Sequence, residues 1–81
     1  MRRPFVAGNW KMNLNYADSV ALAKSIAEGV RGDSVEVAVC PPSLYLDAVV
    51  TVTKGSKVGV GVQNLYHEPA GAFTGEISPA M

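Results

Sequence analysis

"FVAGNWKMN", Phe5 to Asn13, begins as an apolar run and passes directly into an amide, an indole and an ammonium. Phe5 to Gly8 reads as a short buried strand, and Asn9-Trp10-Lys11 as the chain leaving its carboxyl end. Strands usually end in residues suited to turning. This set is better suited to holding something. A lysine after a strand is most often simply solvated. Lys11, however, follows the carboxyl end of what reads as a parallel strand, the end at which α/β folds bind ligands. Asn9 adds an amide that both donates and accepts and that tolerates unusual backbone angles. A spacing of two along extended chain would put Asn9 and Lys11 on one side. The pattern points to an anion site and does not name the anion.

Working outward, Asn15 can cap a helix, with Asp18 in its first turn. Leu22, Ile26 and Val30 recur at spacing four, with Val20, Ala23 and Ala27 beside them and Lys24 and Glu28 on the wet side. Gly29 and Gly32 supply the stop. Val35-Glu-Val-Ala-Val-Cys40 is a β-branched strand ended by Pro41-Pro42, which a sheet interior does not tolerate. Ser43 can cap the next element, and Asp47 suits a helix N-terminus. Ala48 to Thr53 has strand propensity but stands where the alternation requires a helix; it reads as a short helix, because context overrides propensity. Lys54-Gly55-Ser56 closes it, and Lys57 to Val62 reads as a third strand. Strand, helix, strand, helix, strand implies a parallel sheet with right-handed crossovers, its strands buried on both faces. Asn64 to Ile77 is a long loop without periodicity, expected to be mobile unless something holds it. Ser78-Pro79 looks like an N-cap with Pro in first helical position. Because the sequence stops at Met81, soon after that start signal, it is expected to be part of a longer chain.

The 81 residues allow at most one small domain, and 48% hydrophobic content suits a globular one. A formal net charge of zero argues against a nucleic-acid or acidic-membrane surface. Arg2 and Arg3 precede only Phe5, Val6 and Ala7 before polar residues, too short an apolar run for a secretion signal. No apolar run approaches a membrane span. A single cysteine, Cys40, has no partner for a disulfide or for a metal site, which suits a reducing, cytoplasmic setting.

Other candidates carry a plainer reading beside the chemical one. Gly59-Val60-Gly61 invites a dinucleotide fingerprint, but the third glycine position holds Asn64, and the glycines lie inside a strand. Small residues in a crowded sheet explain them better. His67, the lone histidine, is tempting as an acid–base group, yet it has no nearby Cys or His and lies in a flexible, polar stretch, where exposure is expected. Cys40 reads as a small buried hydrophobe. Glu68 and Glu76 have no fixed mutual geometry, and surface charge is the default for Glu68.

"FVAGNWKMN" closely resembles the first strand and loop of the triosephosphate isomerase family. Val62-Gln63-Asn64 and "GAFTGEISPAM" resemble its third strand and loop, and "VCPPSLYLD" its second strand-to-helix turn. The matches fall in order across the whole of residues 1–81. The resemblance implies an α/β fold, the (β/α)8 barrel of roughly 250 residues, with its first three strands, two helices, third loop and the start of helix three present. It implies interconversion of dihydroxyacetone phosphate and glyceraldehyde 3-phosphate through an enediolate, without metal or organic cofactor, by a homodimer. It also implies a Glu base and a neutral His, both further along than Met81, so that neither His67 nor Glu76 fills those roles. Asn9 and Lys11 match the substrate-binding pair, with Trp10 packed between them. Gln63 and Asn64 match residues that support the site, and Met12, Asn13, Thr74 and Glu76 match positions in the subunit contact. Two competing readings stand beside this one. The first is a non-catalytic, self-associating βαβαβ fragment. The second, a flavodoxin-like module, would need a phosphate-cradling loop that is not visible.

Overall fold

The computed structural model describes residues 2–81. It contains β1 (Phe5–Asn9), α1 (Tyr16–Gly29), β2 (Glu36–Cys40), a 3-10 turn (Ser43–Tyr45) running into α2 (Leu46–Thr53), and β3 (Val58–Val60). The strands make one parallel sheet in the order β1-β2-β3. This is the βαβαβ arrangement that the alternation of patterns implies.

Register sorts the side chains into two faces. Val6, Val37 and Val58 form one row and Gly8, Val39 and Val60 another; between them lie Phe5 with Glu36, then Ala7, Ala38 and Gly59, then Asn9 with Cys40. Side chains alternate across a strand, so one face is rich in valine and the other in small residues. The valine face carries the core: Val39 and Val58 pack with Ala23 of α1 and Val49 of α2, flanked by Trp10, Ile26, Val30, Tyr45, Val52 and Val60. Burial of a side chain such as Val49, which is fully enclosed, is worth about 2 kcal/mol.

The strands are not buried on both faces. Phe5 is 64% and Val6 57% exposed. Phe5 lies on the small-residue face, which carries neither helix. Val6 lies on the helix-covered face but at the β1 edge, beyond the core around Val39 and Val58. The same open face leaves Cys40 half-buried, not buried as expected. β3 is also shorter than the reading of Lys57 to Val62. Its ladder ends with Gly61 N–H donating to the Val39 carbonyl at 2.9 Å.

Asn15 caps α1 as expected, its Oδ1 accepting the Asp18 N–H at 2.8 Å. Such a cap contributes about 1 kcal/mol. The buried stripe of α1 differs in detail from the spacing-four face. Ser19 and Ala23 are fully buried and Ile26 and Val30 border the core, while Leu22 is exposed at the margin. Small side chains thus form the enclosed part of the helix surface. After Gly29 the Val30 N–H bonds the Ile26 carbonyl at 3.0 Å, and Gly32 takes φ 77° to redirect the chain.

Ser43 makes no side-chain cap; it sits inside the 3-10 turn, which begins after Pro42, and the Leu46 N–H bonds its carbonyl. The β-branched run Ala48 to Thr53 is helical, as position requires. Thr51 and Thr53 settle their hydroxyls on the carbonyls of Asp47 and Val49, both four residues back, at 2.9 and 2.8 Å. Ser78 to Met81 makes one turn, closed by Met81 N–H to the Ser78 carbonyl at 3.1 Å, in place of the expected helix start.

Candidate functional site

The site expected around Asn9 and Lys11 stands where β1 ends against the last residue of β2. Trp10 N–H continues the ladder by donating to the Cys40 carbonyl at 3.1 Å. The chain then turns through Lys11, whose φ is 56°, and Asn9 Oδ1 accepts the Lys11 N–H at 3.0 Å. The segment is therefore not extended at Lys11, and the spacing-of-two argument for a shared side does not hold. An Asx turn replaces it. Left-handed backbone costs a residue other than glycine roughly 1–2 kcal/mol, which the turn's hydrogen bonds offset in part.

Gln63, just past β3, spans the gap between strands. Its Nε2 donates to the Lys11 carbonyl at 3.0 Å and to the Cys40 carbonyl at 2.8 Å. Asn13 closes the loop from the other side, Nδ2 donating to the Trp10 carbonyl at 2.8 Å. Asn9, Lys11, Asn13 and Gln63 thus converge on one short piece of backbone. The Trp10 ring is not wedged between Asn9 and Lys11. It borders the core, with its Nε1 lying 3.6 Å from where a Cβ on Gly8 would stand.

Electrostatically, the Lys11 ammonium is unclaimed: among the described residues no carboxylate pairs with it. The ion pairs of the sheet gather at the opposite, amino ends of the strands, where Arg3 meets Glu36 at 2.8 Å and Lys57 meets Asp33 at 3.0 Å. The hydrogen bond and charge of Lys57 hold the Asp33 carboxyl below its usual range. An exposed cation fixed at its backbone and lacking an internal partner can receive an external anion.

The other singled-out groups are placed plainly. His67 is exposed and meets Glu68 at 3.4 Å, so neither stands in a cleft. No group of His, Cys, Asp or Glu among the described residues could hold a metal ion. No helix is long and apolar enough to cross a membrane. Gly61 is crowded, since a Cβ there would stand 3.2 Å from Cys40 Sγ, whereas Gly59 has ordinary clearance. The Cys40 carbonyl, accepting from both Trp10 and Gln63, is the hub that sequence reasoning missed. A backbone carbonyl has no signature in the sequence.

The family model described as Triosephosphate isomerase matches residues 4–81. This chain belongs to the triosephosphate isomerase family. Curated relatives with that name include those of Clostridium novyi (strain NT), 47% identical over 81 residues, which are 100% of this chain and 32% of that protein. That of Rhodopirellula baltica is 47% identical over 81 residues, 99% of this chain and 32% of the relative. That of Endomicrobium trichonymphae is 49% identical over 82 residues, 100% and 33% respectively. The chain spans about a third of the length of the curated relatives it matches. Its parallel βαβαβ order is that of the N-terminal part of a (β/α)8 barrel.

Within the triosephosphate isomerase frame, the remaining expected residues are dispersed. Asn64 is exposed beside Gln63. Met12 is 96% exposed. Thr74 and Glu76 are exposed on the long loop, and no hydrogen bond or ion pair among the described residues joins their side chains to Met12 or Asn13. That loop is more organised than its composition suggests. Tyr66 lies with its ring centroid 4.5 Å from that of His67 and 4.6 Å from that of Phe73, and Tyr66 N–H bonds the Ile77 carbonyl at 2.8 Å.

Proposed function

We propose that the protein to which this segment belongs interconverts dihydroxyacetone phosphate and glyceraldehyde 3-phosphate by proton transfer through an enediolate. In this reading the segment supplies anion binding and not acid–base chemistry. The observation that carries it is the Lys11 ammonium, presented from the carboxyl end of β1 by backbone that Asn9 and Gln63 hold, with no carboxylate partner among the described residues. A phosphate dianion and a developing enediolate both require positive charge. At about 4 Å and an effective dielectric near 20, one such pair is worth about 4 kcal/mol. Asn9 orients the lysine and offers its amide to substrate; Gln63 and Asn64 support them from beyond β3. The acid and base are expected outside residues 1–81, and the chemistry calls on neither metal nor organic cofactor. A cytoplasmic setting follows from the substrate class.

The test is Lys11→Ala in an enzyme whose first 81 residues are this segment and whose remainder comes from the Clostridium novyi relative. The expected result is a fall in kcat/KM of about 10²-fold or more. Thermal stability should hardly change, since Lys11 is exposed. Turnover within a few-fold of the parent would refute the role of Lys11.

A second reading concerns assembly, and exposed apolar surface favours it. The open sheet face, the unpaired outer edges of β1 and β3, and Met12 and Leu44, 96% and 82% exposed, leave the chain with uncovered surface. Such edges and patches template association. We infer that the 81-residue chain self-associates, and that Met12, Asn13, Thr74 and Glu76 lie in the subunit contact of a parent homodimer. Sedimentation velocity on the purified chain should show species larger than a monomer. A monodisperse monomer at micromolar concentration would contradict it.

A further inference from the structure

The peptide unit joining Trp10 to Lys11 is held at both of its polar ends. Its N–H, from Lys11, donates to Asn9 Oδ1 at 3.0 Å. Its carbonyl, from Trp10, accepts from Asn13 Nδ2 at 2.8 Å. The following unit, between Lys11 and Met12, is held at its carbonyl by Gln63 Nε2 at 3.0 Å. A peptide unit is planar, so fixing its orientation fixes the torsions on either side. With the unit before Lys11 and the unit after it both held, φ and ψ of Lys11 are set. So is the direction in which its Cβ leaves the backbone.

That direction is not one the chain would take unaided. Lys11 has φ 56° and Leu14 φ 73°, two left-handed residues other than glycine in one short loop. Such backbone persists only where its surroundings over-determine it. Rotation of the Trp10–Lys11 unit would let Lys11 relax to negative φ and carry its ammonium elsewhere. Asn9 resists that rotation from the N–H side and Asn13 from the carbonyl side. The resemblance places Asn13 in the subunit contact, which assigns nothing to this intrachain bond.

We propose that Asn13 is a positioning residue for Lys11: through the Trp10 carbonyl it locks the peptide unit that aims the ammonium. The inference rests on the reading of Lys11 as the cation that meets the substrate's anion. Asn13 itself touches no reacting atom.

The experiment compares Asn13→Ala and Lys11→Ala in the enzyme that carries this segment at its N-terminus, assayed over a range of enzyme concentrations. Asn13→Ala should lower kcat/KM by about 10-fold, near the upper limit of what one hydrogen bond controls. That loss should remain at the highest enzyme concentration, where assembly is complete, because an aiming defect does not depend on assembly. In the 81-residue chain, the Lys11 amide residual dipolar coupling should change in Asn13→Ala while those of β1 stay. A loss that vanishes entirely at high enzyme concentration would show that Asn13 acts through assembly alone and overturn the proposal. So would unchanged kcat/KM, or an unchanged Lys11 coupling, in Asn13→Ala while Lys11→Ala is severely impaired. If Lys11→Ala is itself near normal, the functional reading beneath the proposal fails, and the dipolar coupling still reports whether Asn13 sets the Lys11 backbone.

Discussion

Ser19 Oγ is fully buried without a hydrogen-bond partner among the described residues, on the face of α1 that joins the core. An unmade bond at a buried hydroxyl costs more than a satisfied one returns, and alanine is the better helix former. Ser19→Ala should therefore raise stability by about 0.5–1.5 kcal/mol, seen as a higher urea midpoint with unchanged slope; a lower midpoint would contradict this. At this scale the sequence was legible where side chains bond their own neighbours. Asn15 as the α1 cap was readable from type and position, whereas the spacing of two that would put Asn9 and Lys11 on one side gave way to an Asx turn. The left-handed φ of Lys11 was not readable, because part of what holds it is the Gln63 amide, which reaches the Lys11 carbonyl across 52 residues and the Cys40 carbonyl across 23.

Between elements, the amino ends of the three strands are laced by charge. Arg3, before β1, pairs with Glu36 of β2 and donates to the Asp33 carbonyl at 3.1 Å, while Asp33 pairs with Lys57, just before β3. Lys57 lowers the Asp33 pKa, first by its hydrogen bond and then by its charge; slight desolvation opposes this and Arg3 adds a smaller lowering. A folded-state value below the unfolded one means stabilisation that is present above the ordinary carboxylate range and lost as pH falls through the lowered folded value. The pair is exposed, so the effect is small and weakened by salt. Asp33→Asn should flatten the acid limb of stability as pH falls through the ordinary carboxylate range and below it, measured by urea unfolding at low ionic strength; a limb of unchanged steepness would contradict the assignment. Element identity was mostly legible: α2 formed against the strand propensity of its β-branched residues because its face meets the core at Val49. The exposure of β1 was not legible, since apolar pattern records what a strand can bury and not whether a neighbour arrives to cover it. Ser43 failed as a cap because Pro42 had already started a 3-10 turn.

At the scale of the molecule, the sheet has one covered face, one open face and two free edges, and the loop after β1 is held at the carboxyl end through the side chains of Asn9, Asn13 and Gln63. The parallel order was legible because two crossover helices between apolar runs admit few other arrangements. In the proposed function this segment supplies the anion-holding lysine of a triosephosphate isomerase and leaves proton transfer to residues outside it. An isomerase assay with glyceraldehyde 3-phosphate, run on the 81-residue chain and on the enzyme that joins it to the remainder of the Clostridium novyi relative, tests this most directly. The chain alone should give no turnover above the uncatalysed rate, and the joined enzyme full isomerase turnover. Activity that copurifies with the chain at constant specific rate, or a folded joined enzyme without activity, would contradict it.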